Sequence, residues 1–407
     1  MSFRKKAAIL LMVIGPGLIT SNIDNDAGGI ATYSIAGAHF GYAFLWTLIP
    51  ITVALIVVQE MCARMGVVTG KGLADLIREN YGIKITFWLM VFLFLTDLGN
   101  TAAEFSGLAA SLELFGVSKY ISVPLGAIFI WLLVVKGTYI LFERIFLVVC
   151  LAYFTYIVSA IMAKPDWTQV AIATVKPSFQ MNSSYLSMLV GMVGTTIAPW
   201  MLFYLQSAVV EKKIKKNQYW ATRIDVIIGS IMTNVVAFFI IVACGATLFK
   251  AGIRIQGAED AALALEPFAG KYATALFAIG LANASLFSAC ILPLATSYYI
   301  CEAMGWEAGV DRNFKEAPQS LGIYTALIVL GVIIILIPGV PRISVMWISQ
   351  VINGVMLPFV LIFVLYLINK SDLMNEYVNS RLYNSIAWST VGIVMALTVA
   401  MLVTMFL

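Results

Sequence analysis

Charge is scarce in this chain. Asp, Glu, Lys and Arg make up 11% of its 407 residues and hydrophobic residues 61%, against roughly 25% and 45–50% in ordinary globular domains. That balance excludes the soluble globular class. Histidine occurs once, as His39, and no H-E-x-x-H run is present. An intramembrane hydrolase would therefore lack its metal motif, and no enzymatic activity is expected. Cys62, Cys150, Cys244, Cys290 and Cys301 all fall in apolar stretches without pairwise metal spacing, so they read as small buried hydrophobes. No Pro/Ser-rich linker or low-complexity tract separates a second folded domain. The net charge of +4 is spread over short loops rather than massed on one face, so nucleic acid is not an expected partner. No cofactor is expected either.

What remains is a series of long apolar stretches. Those long enough for a bilayer, about 17–25 residues each, number eleven, near 7–38, 42–65, 86–115, 121–138, 145–163, 184–210, 222–249, 270–303, 319–338, 343–369 and 383–406. The start, MSFRKKAAILLMVIGPG, imitates a signal peptide, but its apolar run continues past the polar residues without a convincing cleavage site, so it reads as a retained first span. With the N-terminus in the cytoplasm, eighteen of the 25 Lys and Arg fall on the inner side, among them the Lys212–Lys216 cluster. This is the bias of the positive-inside rule. The C-terminus is then external, and the expected location is the plasma (inner) membrane, with the bilayer as the surrounding partner.

Two spans are interrupted by polar and helix-breaking residues. In span one, GPGLITSNIDNDAGG at 15–29 sets Asn22, Asp24, Asn25 and Asp26 within a run otherwise apolar enough to cross. Carboxylates at bilayer depth are expensive and usually face a protein interior or wet cavity. Glycine and proline beside them allow the helix to open and expose backbone carbonyls, which makes a cation site. Span six is broken likewise by Gly191, Gly194, Thr195, Thr196 and Pro199. Five spans separate the two breaks, so the broken helices cross the membrane in opposite directions. Paired breaks in two inverted halves point to the midplane site of a secondary transporter. The expected fold is an all-α integral membrane protein of eleven helices with a leucine-transporter-type 5+5 inverted repeat. Its first half is 1–183, its second 184–370, and 371–407 adds span eleven, all forming a single transport domain.

Several motifs, in order along the chain, resemble the natural resistance-associated macrophage protein (NRAMP) divalent-metal transporters. They are GPG at 15–17, Asp26-Ala27-Gly28-Gly29, ARMGVVTGKGLADLIRE at 63–79, TDLGN at 96–100, ERIFLVVC at 143–150, TTIAP at 195–199 and SQVINGVMLPF at 349–359. The resemblance covers roughly spans one to ten and implies a metal site between spans one and six. Asp26 falls on the family's metal-binding aspartate. Gly29 stands where the family has a ligating asparagine, Ala198 where it has a methionine, Trp200 where it has a histidine tied to proton movement, and Asn100 where it has a glutamate. These departures resemble the NRAMP-related branch associated with magnesium.

Ligand chemistry points the same way. Thioethers favour soft or borderline metals, whereas oxygen ligands suit magnesium, calcium and manganese. Small residues at 29 and 198 should widen the pocket, and Mg²⁺ usually keeps several waters beside one or two carboxylates. The expected metal site is Asp26, Gly29, Ile23, Thr195 and Ala198, with backbone carbonyls contributing. Met192 and Met201 flank the ligating position and read as packing residues. Asp24 and Asp26 also suit a helix N-cap. At i and i+2 they would point about 200° apart on a helix, so Asp26 is the expected ligand and Asp24 belongs to a vestibule or a backbone bond. Asn22 joins them near the ion path. Asp97, Asn100 and Glu104 share one face of span three, as do Gln350 and Asn353 in span ten, and Trp200 stands beside the second break. Each of the two faces is either a hydrogen-bonded polar seam or the border of an ion path. His39 reads as interfacial.

The expected function is alternating-access import of divalent cations, chiefly Mg²⁺ with Mn²⁺ as a second cargo, without proton coupling and by a monomer. The rival readings are a proton-coupled Mn²⁺/Fe²⁺ transporter and a carrier of organic substrates on the same fold. In the latter, helix N-termini would hold a substrate carboxylate and Asp24 and Asp26 would repel it.

Overall fold

In the computed structural model, residues 25–136, 154–307 and 315–406 are described, and every regular element among them is a helix. A bilayer leaves backbone groups no water to bond, so a spanning segment must satisfy them internally. The principal elements are α1 (Ala27–Phe40), α2 (Leu45–Thr69), α3 (Leu73–Tyr81), α4 (Ile83–Glu113), α5 (Lys119–Val135), α6 (Phe154–Met162) and α7 (Trp167–Val175). They continue as α8 (Ser183–Thr196), α9 (Pro199–Glu211), α10 (Tyr219–Cys244), α11 (Ala273–Met304), α12 (Pro318–Leu336), α13 (Arg342–Ile368) and α14 (Arg381–Phe406).

Among the described residues, eight helical stretches are long and apolar enough to cross a membrane, with α8 and α9 together forming one of them. They coincide with expected spans two, three and six to eleven. Span four appears as the shorter apolar α5, of 17 residues. Spans one and five are represented by their later parts, α1 and α6, and the rest of each lies outside the described residues. Cys62, Cys244, Cys290 and Cys301 are buried and free, as expected of small hydrophobes, while Cys150 lies outside the described residues.

Span three organises the interior. α4 has 31 residues, about 46 Å of helix, and packs along α11, α13 and α12. Close crossings depend on small residues, because backbones approach only where side chains are short. A Cβ on Gly194 of α8 would collide with the Gln350 carbonyl and Gly354 backbone of α13, and one on Gly107 of α4 would strike Ala27 and Ser285. The basic residues separate along α4. Near its start, Lys370 donates to Asn80 at 2.7 Å, and Arg64, paired with Glu60, donates to Asn379 at 2.6 Å. At its far end Arg342 pairs with Glu113, and Lys119 Nζ donates to the carbonyls of Ile335 and Ile337 at 2.9 and 2.8 Å, closing the end of α12.

Aromatic packing joins the end of α1 to the start of α8. The Phe44 ring stacks on Tyr185 at 4.4 Å and meets Phe40 edge-on at 5.1 Å. Trp46 and Tyr185 both donate to the Ser178 carbonyl, and Ser178 Oγ donates back to Ala43 O at 2.9 Å. His39 sits partly buried beside this cluster at the end of α1.

Candidate metal centre

The start of α1, where the sequence places the first break, is shaped by Asp26. Its backbone is extended (φ −65°, ψ −173°), and its Oδ1 accepts the Gly29 N–H at 2.6 Å, so it caps α1. An anion suits the positive end of a helix, and here the anion is 6% exposed. A Cβ on Gly28 would run into the Gln350 side-chain amide, so glycine is what lets span ten lie against this turn. From span three, Glu104 reaches the same point. Its Oε2 receives the Ala27 N–H at a long 3.4 Å, and its carboxyl stands against that of Asp26. Glu104 Oε1 is buried with no hydrogen-bond partner. No lysine or arginine among the described residues pairs with either acid.

The second break falls between α8 and α9. Ile197 leaves helical geometry (φ −124°, ψ 68°), Ala198 is extended, and Pro199 opens α9 at the first helical position, where its missing N–H costs nothing. A helix that ends in the interior leaves its last carbonyls without intrahelical donors. Thr195 Oγ1 is buried without a partner. Thr196 Oγ1 bonds the Met192 carbonyl at 2.8 Å and the Tyr33 hydroxyl at 2.7 Å, which ties this break to α1. Ala198 and Trp200 are both buried, and the Trp200 ring lies 6.3 Å from that of Tyr204. Met192 is packed in the core, and Met201 Sδ accepts from Gln59 Nε2 at 3.4 Å, in keeping with packing roles for both.

Spans three, eight and ten share a polar network. Asp97 accepts from Thr296 Oγ1 at 2.7 Å, from the Tyr299 hydroxyl, and from Asn100 Nδ2 at 3.2 Å. Asn100 and Asn353 exchange hydrogen bonds at 2.9 and 3.0 Å, Asn353 donates to Gln350 Oε1 at 2.9 Å, and Gln350 donates to Ser349 Oγ at 3.2 Å. Since Gln350 also rests on Gly28, the network runs from Asp97 to the first break.

The sequence-derived candidates thus fall into three groups. Asp26, Gly29 and Glu104 meet at the start of α1, with Gln350 against the same turn; Asp97, Asn100, Asn353 and Gln350 form one chain of hydrogen bonds. Thr195, Ala198 and Trp200 surround the second break, linked to α1 through Thr196 and Tyr33. Asn22, Ile23 and Asp24 lie outside the described residues. Sequence reasoning missed Tyr33, Thr296 and Tyr299, and named Thr196 only as part of the second break. Thr296 and Tyr299, three apart on α11, form a faint polar pair on one helix face, and nothing in the sequence gives the partner.

The family described as natural resistance-associated macrophage protein-like matches residues 17–404 of the chain. The divalent metal cation transporter MntH of Deinococcus radiodurans is 28% identical over 404 residues, covering 95% of this chain and 88% of that protein. The crystal structure of the Eremococcus coleocola manganese transporter, in complex with an aromatic bis-isothiourea compound, superposes with a TM-score of 0.81 at 22% identity, covering 99% of this chain and 88% of the other. MhsT in complex with L-phenylalanine shares the fold more distantly, with a TM-score of 0.57 at 15% identity and coverage of 96% and 97%.

Proposed function

The chain belongs to the natural resistance-associated macrophage protein-like family, and on that premise we propose that it imports divalent metal cations, with Mg²⁺ as principal cargo and Mn²⁺ as a second. The observation that carries this reading is a buried acid, Asp26, at the N-terminus of α1 with the Glu104 carboxyl against it and no lysine or arginine among the described residues paired with either. Asp26 is flanked by Gly29, and the second break presents Ala198 where a thioether would stand. Oxygen ligands suit hard cations. Mg²⁺ gives up water reluctantly and is commonly held through one or two carboxylates with waters retained. In this reading Asp26 and backbone carbonyls near Ile23, Thr195 and Ala198 hold the ion, beside Gly29. Asn22, Asp24, Asp97, Asn100, Trp200, Gln350 and Asn353 border its path.

The architecture that goes with it is the 5+5 inverted repeat, with halves 1–183 and 184–370 and span eleven in 371–407. The likeness in fold to MhsT supports this arrangement. The protein would work as a monomer in the plasma membrane, N-terminus cytoplasmic and C-terminus outside, by alternating access and without obligatory proton coupling.

A proton-coupled Mn²⁺/Fe²⁺ importer is the second reading, favoured by two relatives named for divalent metal and manganese transport and by the acids of span three. A carrier of organic anions is disfavoured, because the Asp26 carboxylate already occupies the helix N-terminus that a substrate carboxylate would need. Reconstitution into sealed vesicles tests the choice. Mg²⁺, Mn²⁺ and Ca²⁺ uptake would be compared while internal pH is followed. Strong Mg²⁺ uptake is expected, and exclusion of Mg²⁺ with proton-driven Mn²⁺ uptake would establish the second reading instead.

A further inference from the structure

We propose that an acyl chain of the surrounding bilayer occupies an apolar cleft between α2, α8 and α14, with the tip of the chain against the second break. The inference goes beyond the cargo of the protein and uses only its membrane-spanning helices. The cleft has a volume of about 190 Å³ and runs from Trp46 to Ala54 on α2, from Leu189 on α8 to Ile197 at the break, and from Thr390 to Leu397 on α14. Pro50 and Ile393, which line it, are exposed, so one side is open.

The wall offers water little to bond. Its polar side chains are already engaged. Trp46 Nε1 donates to the Ser178 carbonyl at 3.1 Å, Thr47 Oγ1 to Phe44 O at 2.6 Å, and Thr390 Oγ1 to Ile386 O at 2.9 Å. A buried water needs two to four polar partners, and an apolar cavity of about 150 Å³ stays dry and takes an apolar guest instead. Without a guest, the lining forfeits its dispersion contacts. At this depth the available apolar matter is lipid hydrocarbon.

The dimensions select one chain. Trp46 stands at the membrane edge, because its partner Ser178 lies in the exposed connection 176–182 and tryptophan favours the interface. Trp46 to Ala54 covers about 12 Å of helix, close to the roughly 15 Å that one leaflet contributes to a hydrocarbon core of about 30 Å. A volume of 190 Å³ over that length leaves a cross-section of about 16 Å², narrow enough for a single chain and far too narrow for a helix about 10 Å across. The cleft is continuous with the outward face of α14, where Ile393, Val399 and Leu402 are exposed, so a chain enters sideways from the bilayer. At its inner end it meets Ile197, where α8 leaves helical geometry. The bilayer thereby forms part of the wall behind the second break.

Photo-labelling of the full chain tests this. The protein is reconstituted into phosphatidylcholine vesicles in which one acyl chain carries a diazirine, irradiated, digested and mapped by mass spectrometry. Leu189 and Val193 are buried within the protein, whereas Leu125 and Ile128 of α5 are exposed apolar residues and report ordinary contact with bulk lipid. Label is expected at both places. Thr390→Trp plugs the cleft from α14 and should abolish the label on α8 while leaving that on α5 unchanged. If that variant does not insert, Ala54→Leu on the opposite wall is read in the same way. An unlabelled α8 beside a labelled α5 would overturn the proposal, as would α8 label that persists in the plugged variant. Label on α8 that appears only when the protein is diluted in the membrane would mean that a second copy covers this face, which also overturns it. None of these outcomes bears on which cation is carried.

Discussion

Asp97 and Glu104 lie two helical turns apart on nearly the same face of α4, and both are fully buried, yet the interior treats their carboxyls differently. Asp97 receives Thr296, Tyr299 and Asn100. Glu104 receives one long backbone contact, and its carboxyl otherwise meets that of Asp26. Burying a carboxylate is costly unless hydrogen bonds or a counter-charge replace its hydration. The three donors at Asp97 make that replacement within the protein and join spans three, eight and ten. At Glu104 and Asp26 no lysine or arginine among the described residues supplies a counter-charge. The same functional group two turns apart is therefore held in two ways, at Asp97 by three donors and at Glu104 against a second acid.

The largest expected effect tests the binding side. Asp26→Ala should reduce divalent-ion uptake roughly 100-fold or more while the protein still inserts. Loss of the cap alone costs about 0.5–2 kcal/mol, so Asp26→Ser, which retains a capping hydroxyl, isolates the charge. Vesicle uptake should be lost in both variants. Recovery in Asp26→Ser would reduce Asp26 to a cap and remove the contrast with Asp97.

A second perturbation changes the donors without touching either acid. Gly29→Asn combined with Ala198→Met restores a side-chain amide and a thioether at the two breaks. Preference for Mn²⁺ or Cd²⁺ over Mg²⁺ should rise by about tenfold, or 1.4 kcal/mol, because softer donors favour those ions. Competitive uptake measures the ratio. An unchanged ratio in the well-folded double variant would mean that the acids themselves choose the ion.

Asp97→Asn probes the other side. Three donors would then meet a weaker acceptor that carries an NH₂ group, and a mismatched buried hydrogen bond costs about 1–3 kcal/mol. Thermal unfolding should shift downward. Mg²⁺ affinity should change by less than about twofold, the scatter expected of sites that do not couple. A large loss of affinity at unchanged stability would make Asp97 a ligand and erase the difference from Asp26.

The sequence carried some of this and could not carry the rest. The second break was legible because Pro199 has no N–H and suits a helix start, and α9 begins there. The capping role of Asp26 was legible from residue type alone. The polar faces at 97, 100 and 104 and at 350 and 353 followed from helical spacing. That Asn100 and Asn353 would bond each other, or that Asp97 would be held by Thr296 and Tyr299, was not. Those pairings depend on the rotation and depth at which three helices meet, and a hydroxyl in an apolar helix carries no mark of its partner. Nor does spacing reveal that one acid of the span-three face would be satisfied and another left open.

The smallest expected effect is none: Mg²⁺ influx into vesicles loaded with a pH indicator should leave internal pH unchanged. Trp200 and Asn100 do not take up and release protons near neutral pH, and Asp97, on the same stretch of span three, is engaged by three donors. Glu104 and Asp26 remain, and in the proposed function Asp26 serves the cation. Coupling is also dispensable on energetic grounds. A divalent cation moving down ~100 mV gains about 2.3 kcal/mol per charge, roughly 4.6 in all. At ~1.4 kcal/mol per tenfold that supports about a thousandfold accumulation, so the membrane potential alone can drive uptake. A stoichiometric proton influx that disappears with Asp26→Ala would mean that the acids at the first break carry protons as well as metal. The open side of the comparison would then be a coupling site, and the proton-coupled Mn²⁺/Fe²⁺ reading would replace the one advanced for Mg²⁺.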